Sequence, residues 1–99
     1  MPPPRFIFEW NAAKAAANLG KHGVSFEEAT TVLDDAFALV VDDEEHSDDE
    51  PRQILIGYSN HNRLLFISIV HREPNLVRMV SARKADAQEH QDYEEKSRF

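Results

Sequence analysis

The 99-residue chain contains no cysteine. Disulfide stapling and thiolate metal sites are therefore both excluded, and the fold must rest on a core of its own. No apolar run approaches the roughly 18 residues that a membrane span requires. The opening Met1-Pro2-Pro3-Pro4-Arg5 lacks the apolar stretch of a secretory signal. There are no internal repeats, no low-complexity linker and no complete metal-ligand spacing. Near this length one core serves one domain, so residues 1–99 are expected to fold as a single cytoplasmic unit that needs no cofactor.

What the chain does carry is charge, unevenly placed. The formal net charge is −7. Residues 42–50 hold seven of the acids (Asp42, Asp43, Glu44, Glu45, Asp48, Asp49, Glu50) and no lysine or arginine. Everything outside that segment sums to zero. Residues 51–84 set Arg52, Arg63, Arg72, Arg78, Arg83 and Lys84 against Glu73 alone, a local excess of +5. A global acidity thus covers a basic half, and such asymmetry marks a charged partner. The acidic run reads as a solvated loop lying off any substrate face. A metal bound there by His46 with Asp48 or Glu50 is disfavoured, because no ligand motif is complete.

Local signals divide the chain. Phe6 to Trp10 is aromatic and apolar, a short strand or an anchored arm, with Trp10, Phe6 and Phe8 expected in the core. Asn11 is placed to cap a helix through Ala12–Leu19, and Gly20 and Gly23 both suit its end. Ser25-Phe26-Glu27-Glu28 matches a capping box, with Val24 and Ala29 as its hydrophobic staple, and predicts a second helix to about Leu33. Phe37–Val41, Gln53–Tyr58, Leu64–Val70 and Leu76–Ala82 read as strands, broken at the acidic segment, at Ser59–Asn62 and at Glu73–Asn75. From Lys84 onward the chain is helix-compatible, with Ala85, Ala87 and Tyr93 to pack. The order ααββββα with an antiparallel sheet defines an α+β fold.

The basic half suggests chemistry on RNA. Cleavage without a metal needs a base for the 2′-hydroxyl, cations for the charge gathering on phosphorus, and an acid for the leaving oxygen. Arginine suits the second task, because its planar fork meets phosphate with two hydrogen bonds. His22, Glu50 and Tyr93 are available for proton work. Arg78 and Arg83 are an odd number apart, so a regular strand sends them to opposite faces. They can share a site only through a bulge, or if Arg83 lies past the strand end, and the second arrangement is expected.

Several fixed words stand in a fixed order: Phe8-Glu9-Trp10, Lys21-His22-Gly23-Val24-Ser25-Phe26, Glu50-Pro51-Arg52, Ser81-Ala82-Arg83-Lys84-Ala85, then Tyr93. Together they resemble the BrnT family of toxins from bacterial type II toxin–antitoxin pairs. Lys14, Asn18, Ala29, Gly57, Arg78 and Glu89 also fit its pattern. Asn11 departs from it, standing where the family has Asp, and Arg72-Glu73-Pro74-Asn75 replaces a Gly-containing turn.

The resemblance implies a RelE-like fold, with N-terminal helices and a C-terminal helix on a small twisted antiparallel sheet. It also implies a metal-independent ribonuclease that halts translation. The partner implied is a BrnA-type ribbon–helix–helix antitoxin in a 2:2 complex, which alone carries the assembly to operator DNA. Joined to the residue reading, this gives His22, Glu50, Arg52, Arg78 and Arg83 as candidate catalytic residues. Lys21, Arg72, Lys84 and Tyr93 are the candidate substrate contacts. The competing expectation is a catalytically silent module that pairs with the antitoxin in repression.

Overall fold

Local caps set the first half of the structure, a computed structural model that describes residues 6–46 and 50–96. The Asn11 side chain accepts the Lys14 amide at 3.0 Å and starts α1 (Ala12–His22). The helix runs through Gly20 and ends at Gly23, whose φ of +68° is the left-handed conformation that glycine adopts without strain. Ser25 then accepts the Glu28 amide at 3.0 Å and opens α2 (Phe26–Thr30). The last predicted turn of α2 tightens into a 3₁₀ segment, Thr31–Asp34. The capping box is half made: the Glu28 carboxylate does not return to Ser25 but turns inward to Arg63.

The strands are β1 (Ile7–Glu9), β2 (Leu39–Asp43), β3 (Arg52–Tyr58), β4 (Leu64–His71) and β5 (Leu76–Lys84), followed by α3 (Ala87–Lys96). They form one sheet in the order β1-β5-β4-β3-β2. The β2-β3-β4-β5 meander is antiparallel, as the hairpin breaks imply. The N-terminal arm is a fifth strand that pairs with β5 in parallel, so the sheet is mixed rather than wholly antiparallel. The first two acids of the charged run extend β2, with Asp42 opposite Gln53 and Asp43 opposite Arg52. A 3₁₀ turn follows at Glu44–His46, while Asp48 and Asp49 lie outside the described residues.

One sheet face takes α1, α2 and the 3₁₀ segment. Leu55, Leu65, Ile67, Ile69, Val77, Met79 and Ala82 meet Val24, Phe26, Ala29 and Val32 in the buried core. Trp10 is half-buried, edge-on to Phe26, and Phe8 packs beside the core. Phe6 is 41 % exposed and sits against His71, outside the core expected for it. Gly57 lets the 3₁₀ segment lie close on β3, since a Cβ there would come within 3.0 Å of Val32 and Ala38.

Asn18 joins α1 to the sheet. β1 pairs with β5 only as far as Arg78, and farther along the same strand the Asn18 amide stands in for a neighbour. Its oxygen accepts Ala82 N–H at 3.1 Å, and its nitrogen donates to Ala82 C=O at 2.8 Å and Val24 C=O at 2.9 Å. Asn18→Leu leaves these buried groups unpaired. It should cost about 1–3 kcal/mol per unsatisfied group, read as a lower urea midpoint with an unchanged slope. Among the described residues no helix is long and apolar enough to cross a membrane.

Candidate nucleic-acid interface

The sheet face opposite the core carries the arginines. A single rung crosses all five strands in register: Asp43 (β2), Arg52 (β3), Val70 (β4), Arg78 (β5) and Glu9 (β1). Arg83 reaches the same face by a bulge and not by lying past the strand. Ser68 pairs with Ser81 while Ile69 pairs with Met79, so Val80 has no partner and the parity of β5 reverses there. Arg78 opposite Val70 and Arg83 opposite Phe66 thereby face the same way. Arg83 lies within β5, which ends at Lys84.

The arginines form two clusters. In the first, Arg72 grips Glu50 with its fork, both bonds at 2.9 Å, and reaches Glu9 at 3.3 Å. Glu9 also lies 3.7 Å from Arg78. The Arg72 hydrogen bond, with the Arg78 and Arg52 charges behind it, holds the Glu50 carboxyl below its ordinary range. Glu50 is therefore an ionised carboxylate beside the rung, with both oxygens held by the Arg72 fork.

In the second cluster Arg83 stacks 4.0 Å from the centre of the Phe66 ring and donates to both oxygens of Glu89 at 2.8 and 2.9 Å. The Glu89 bond raises the Arg83 pKa further. Glu89 also accepts the Asp86 amide at 2.8 Å while Asp86 accepts the Glu89 amide at 2.8 Å, a complete capping box at the start of α3. Arg52 and the residue level with Arg83 on β3 are four positions apart, about 13 Å along the strand. One phosphate is not held by all three arginines at once.

The other expected contacts scatter. Lys84 is exposed, and opposite Leu65 it has the parity of the core face. Lys21 is exposed in the last turn of α1. His22 is half-buried, one turn beyond Asn18 on the same side of α1, and its ring makes no hydrogen bond or ion pair among the described residues. Tyr93 donates to Asp35 at 2.7 Å and packs edge-on against Tyr58. Burial, then the Asp35 bond, push its phenol up to about 12. It holds α3 to the sheet as a fixed donor. Tyr93→Phe should cost about 1 kcal/mol in urea unfolding. It should also remove a loss of stability that sets in above pH 10 and grows toward 12, because the raised folded pKa stabilises only while the phenol keeps its proton.

Two expectations are corrected. The +5 excess is not an open basic surface, because acids from elsewhere fold back onto it. Arg63 is held by buried Glu28, Arg72 by Glu50 and Glu9, and Arg83 by Glu89. Nor does the acidic run lie wholly off this face: Asp43 and Glu45 line a groove of about 330 Å³ with Arg52, Ile54, Phe66, Ser68, Val80 and Ser81. Glu9 and Glu89 were not foreseen as site residues. Glu89 had a signal, since Asp86-Ala87-Gln88-Glu89 is a capping-box spacing. Glu9 stood in the word Phe8-Glu9-Trp10, with nothing in the sequence to bring it to the arginines. Among the described residues no group of three or more His, Asp or Glu is placed to hold a metal ion.

The fold and face define a small α+β domain, α1 and α2 on one side of a five-stranded sheet and paired arginines, one of them bound to α3, on the other. The profile of the family described as "Ribonuclease toxin, BrnT, of type II toxin-antitoxin system" matches residues 10–89. The chain belongs to that family. Its fold is similar to the 1.1 Å crystal structure of the Brucella abortus ribonuclease toxin BrnT, with a TM-score of 0.63 at 21 % identity, covering 84 % of this chain and 99 % of that one. No curated protein matches the chain significantly.

Proposed function

We propose that this chain is a metal-independent endoribonuclease that cuts RNA laid across the arginine-bearing sheet face, and so stops translation in the cytoplasm. The observation that supports it most is the bulge at Val80, which turns Arg52, Arg78 and Arg83 to one side of the sheet. Arg52 and Arg78 hold the scissile phosphate, with Arg72 beside them, and Arg83 takes a neighbouring phosphate. Glu50, kept ionised by Arg72, accepts the 2′-hydroxyl proton as that oxygen attacks phosphorus. The departing 5′-oxygen takes its proton from water, because His22 stands on α1, which is tied to the Ala82 end of β5 on the core side and away from the Arg52–Arg78 rung. Lys21 and Lys84 act from the rim, sensing the charge of the strand rather than the reacting atoms.

A toxin of this kind needs a partner. A BrnA-type ribbon–helix–helix antitoxin covering this face, in a 2:2 complex, would block RNA and alone bring operator DNA, since the toxin's net charge is −7. The competing reading, a silent binding module, draws on the internal carboxylates that already occupy Arg72 and Arg83.

Induced expression with and without the neighbouring antitoxin gene separates the two. Growth arrest with fragmented RNA, reversed by the partner, is the expected result. Intact RNA and normal growth, with a stable complex on co-purification, would leave only the binding module.

A further inference from the structure

Between the two arginine clusters lies a groove on this face. Ser68 and Ser81 stand side by side at its floor, paired across β4 and β5. Ser68 is only 7 % exposed, yet neither hydroxyl has a hydrogen-bond partner among the described residues. Among the described residues no buried side-chain oxygen lacks a partner, so these unpaired hydroxyls open onto the groove and can bond what enters it. Ile54 and Phe66 supply apolar wall, and Asp43 and Glu45 supply carboxylates at the same groove.

We propose that this groove is a nucleobase subsite that selects bases carrying an exocyclic amine. The inference rests on the ribonuclease reading and extends it to which base is read. The volume, about 330 Å³, is at the small end for ligand sites and suits one base rather than two. Asp43 and Glu45 disfavour an anion within the groove, although Arg52 also lines it. A flat base instead lies against Ile54 and Phe66 and reaches the two serine hydroxyls, which both donate and accept. Ionised carboxylates only accept, so they favour the amines of cytosine, adenine and guanine. The uracil O4 sets an acceptor against acceptors. The phosphates on either side of the selected base then fall to Arg52 with Arg78 and to Arg83, the long arginine side chains converging from the two ends of the groove.

The test uses four 2′-O-methyl oligonucleotides, uncleavable by 2′-hydroxyl attack, that differ at one central base. Binding is followed by fluorescence anisotropy to the full-length chain, its Ser68→Ala/Ser81→Ala variant, and Asp43→Asn and Glu45→Gln singly and together, all checked for fold by circular dichroism. The wild type should bind one or more amine-bearing probes roughly tenfold more tightly than the uracil probe. The serine variant should lose about threefold to tenfold on those probes with an unchanged salt slope. At least one carboxylate variant should bind all four within about twofold. Equal binding of the four probes by the wild type, or discrimination surviving in every carboxylate variant, overturns the subsite. Unblocked RNA run in parallel keeps the two readings apart. Cleavage without base discrimination sinks the subsite and leaves the nuclease, and discrimination without cleavage does the reverse.

Discussion

Arg63→Ala should destabilise the protein by about 3–5 kcal/mol, a large share of the roughly 5–15 kcal/mol that holds a small domain together. The reason is the position of Glu28. Its residue is 5 % exposed, and its carboxylate accepts Arg63 Nε at 2.9 Å, a second short bond from the same guanidinium, and the Ser59 hydroxyl at 2.7 Å. His61 lies 3.4 Å away, and Arg63 also donates to the Gly23 carbonyl at 3.1 Å. One ion pair thus ties the end of α1, the five-residue α2 and the β3–β4 turn. Removing the guanidinium strands a carboxylate in the interior, with no compensation of the same strength.

The pH behaviour of the same pair is also set. The Arg63 hydrogen bond, against burial, holds Glu28 below its ordinary value. A depressed folded pKa stabilises at pH above the unfolded value of about 4.3 and is lost as pH falls through the folded value. Wild-type stability should therefore drop on acidification below about pH 5, and the drop should be smaller in Arg63→Ala, where its main cause is gone. Glu28→Leu/Arg63→Met removes both charges and should recover much of the loss. Urea titrations across pH measure all three. A single variant as stable as wild type would show the pair to be dispensable.

How much of this was legible in the sequence follows from range. Asn11, Gly23 and Ser25 act on residues within four positions, and the helix–glycine–helix entry they imply is the one observed. The meander was legible because apolar strands alternate with polar breaks. The partners of the charges were not. Arg63 finds Glu28 across 35 positions, and Arg72 finds Glu9 across 63. No periodicity reports such distances, so the basic half looked bare when it was already answered. The parity of Arg78 and Arg83 was legible as a problem, and its solution was not, because a bulge is fixed by how β4 pairs with β5. β2 continued into the acidic run because Val40 and Val41 were already in register, carrying Asp42 and Asp43 along the edge of β3.

The largest functional effects are expected at Arg52 and Arg78. On the proposed reading each gives the scissile phosphate a charge-assisted hydrogen bond, worth about 1.5–3 kcal/mol. About 1.4 kcal/mol is tenfold in rate, so Arg52→Ala and Arg78→Ala should each slow RNA cleavage about tenfold to a hundredfold or more. Both residues are half-buried on the face away from the core, so fold should survive the change, as a thermal melt would confirm. The pair should be less than additive, since the two forks serve one phosphate. Arg83→Ala carries a second consequence, because Arg83 also anchors α3 through Glu89. Glu89→Gln resolves it: an amide keeps an acceptor for the Asp86 amide but releases much of the hold on the guanidinium. If Arg83 serves RNA, Glu89→Gln should keep or raise cleavage while Arg83→Ala lowers it. Equal losses in both would assign Arg83 to anchoring alone. Undiminished cleavage in Arg52→Ala and Arg78→Ala would remove the phosphate from this rung altogether, and with it the reason to place catalysis on this face.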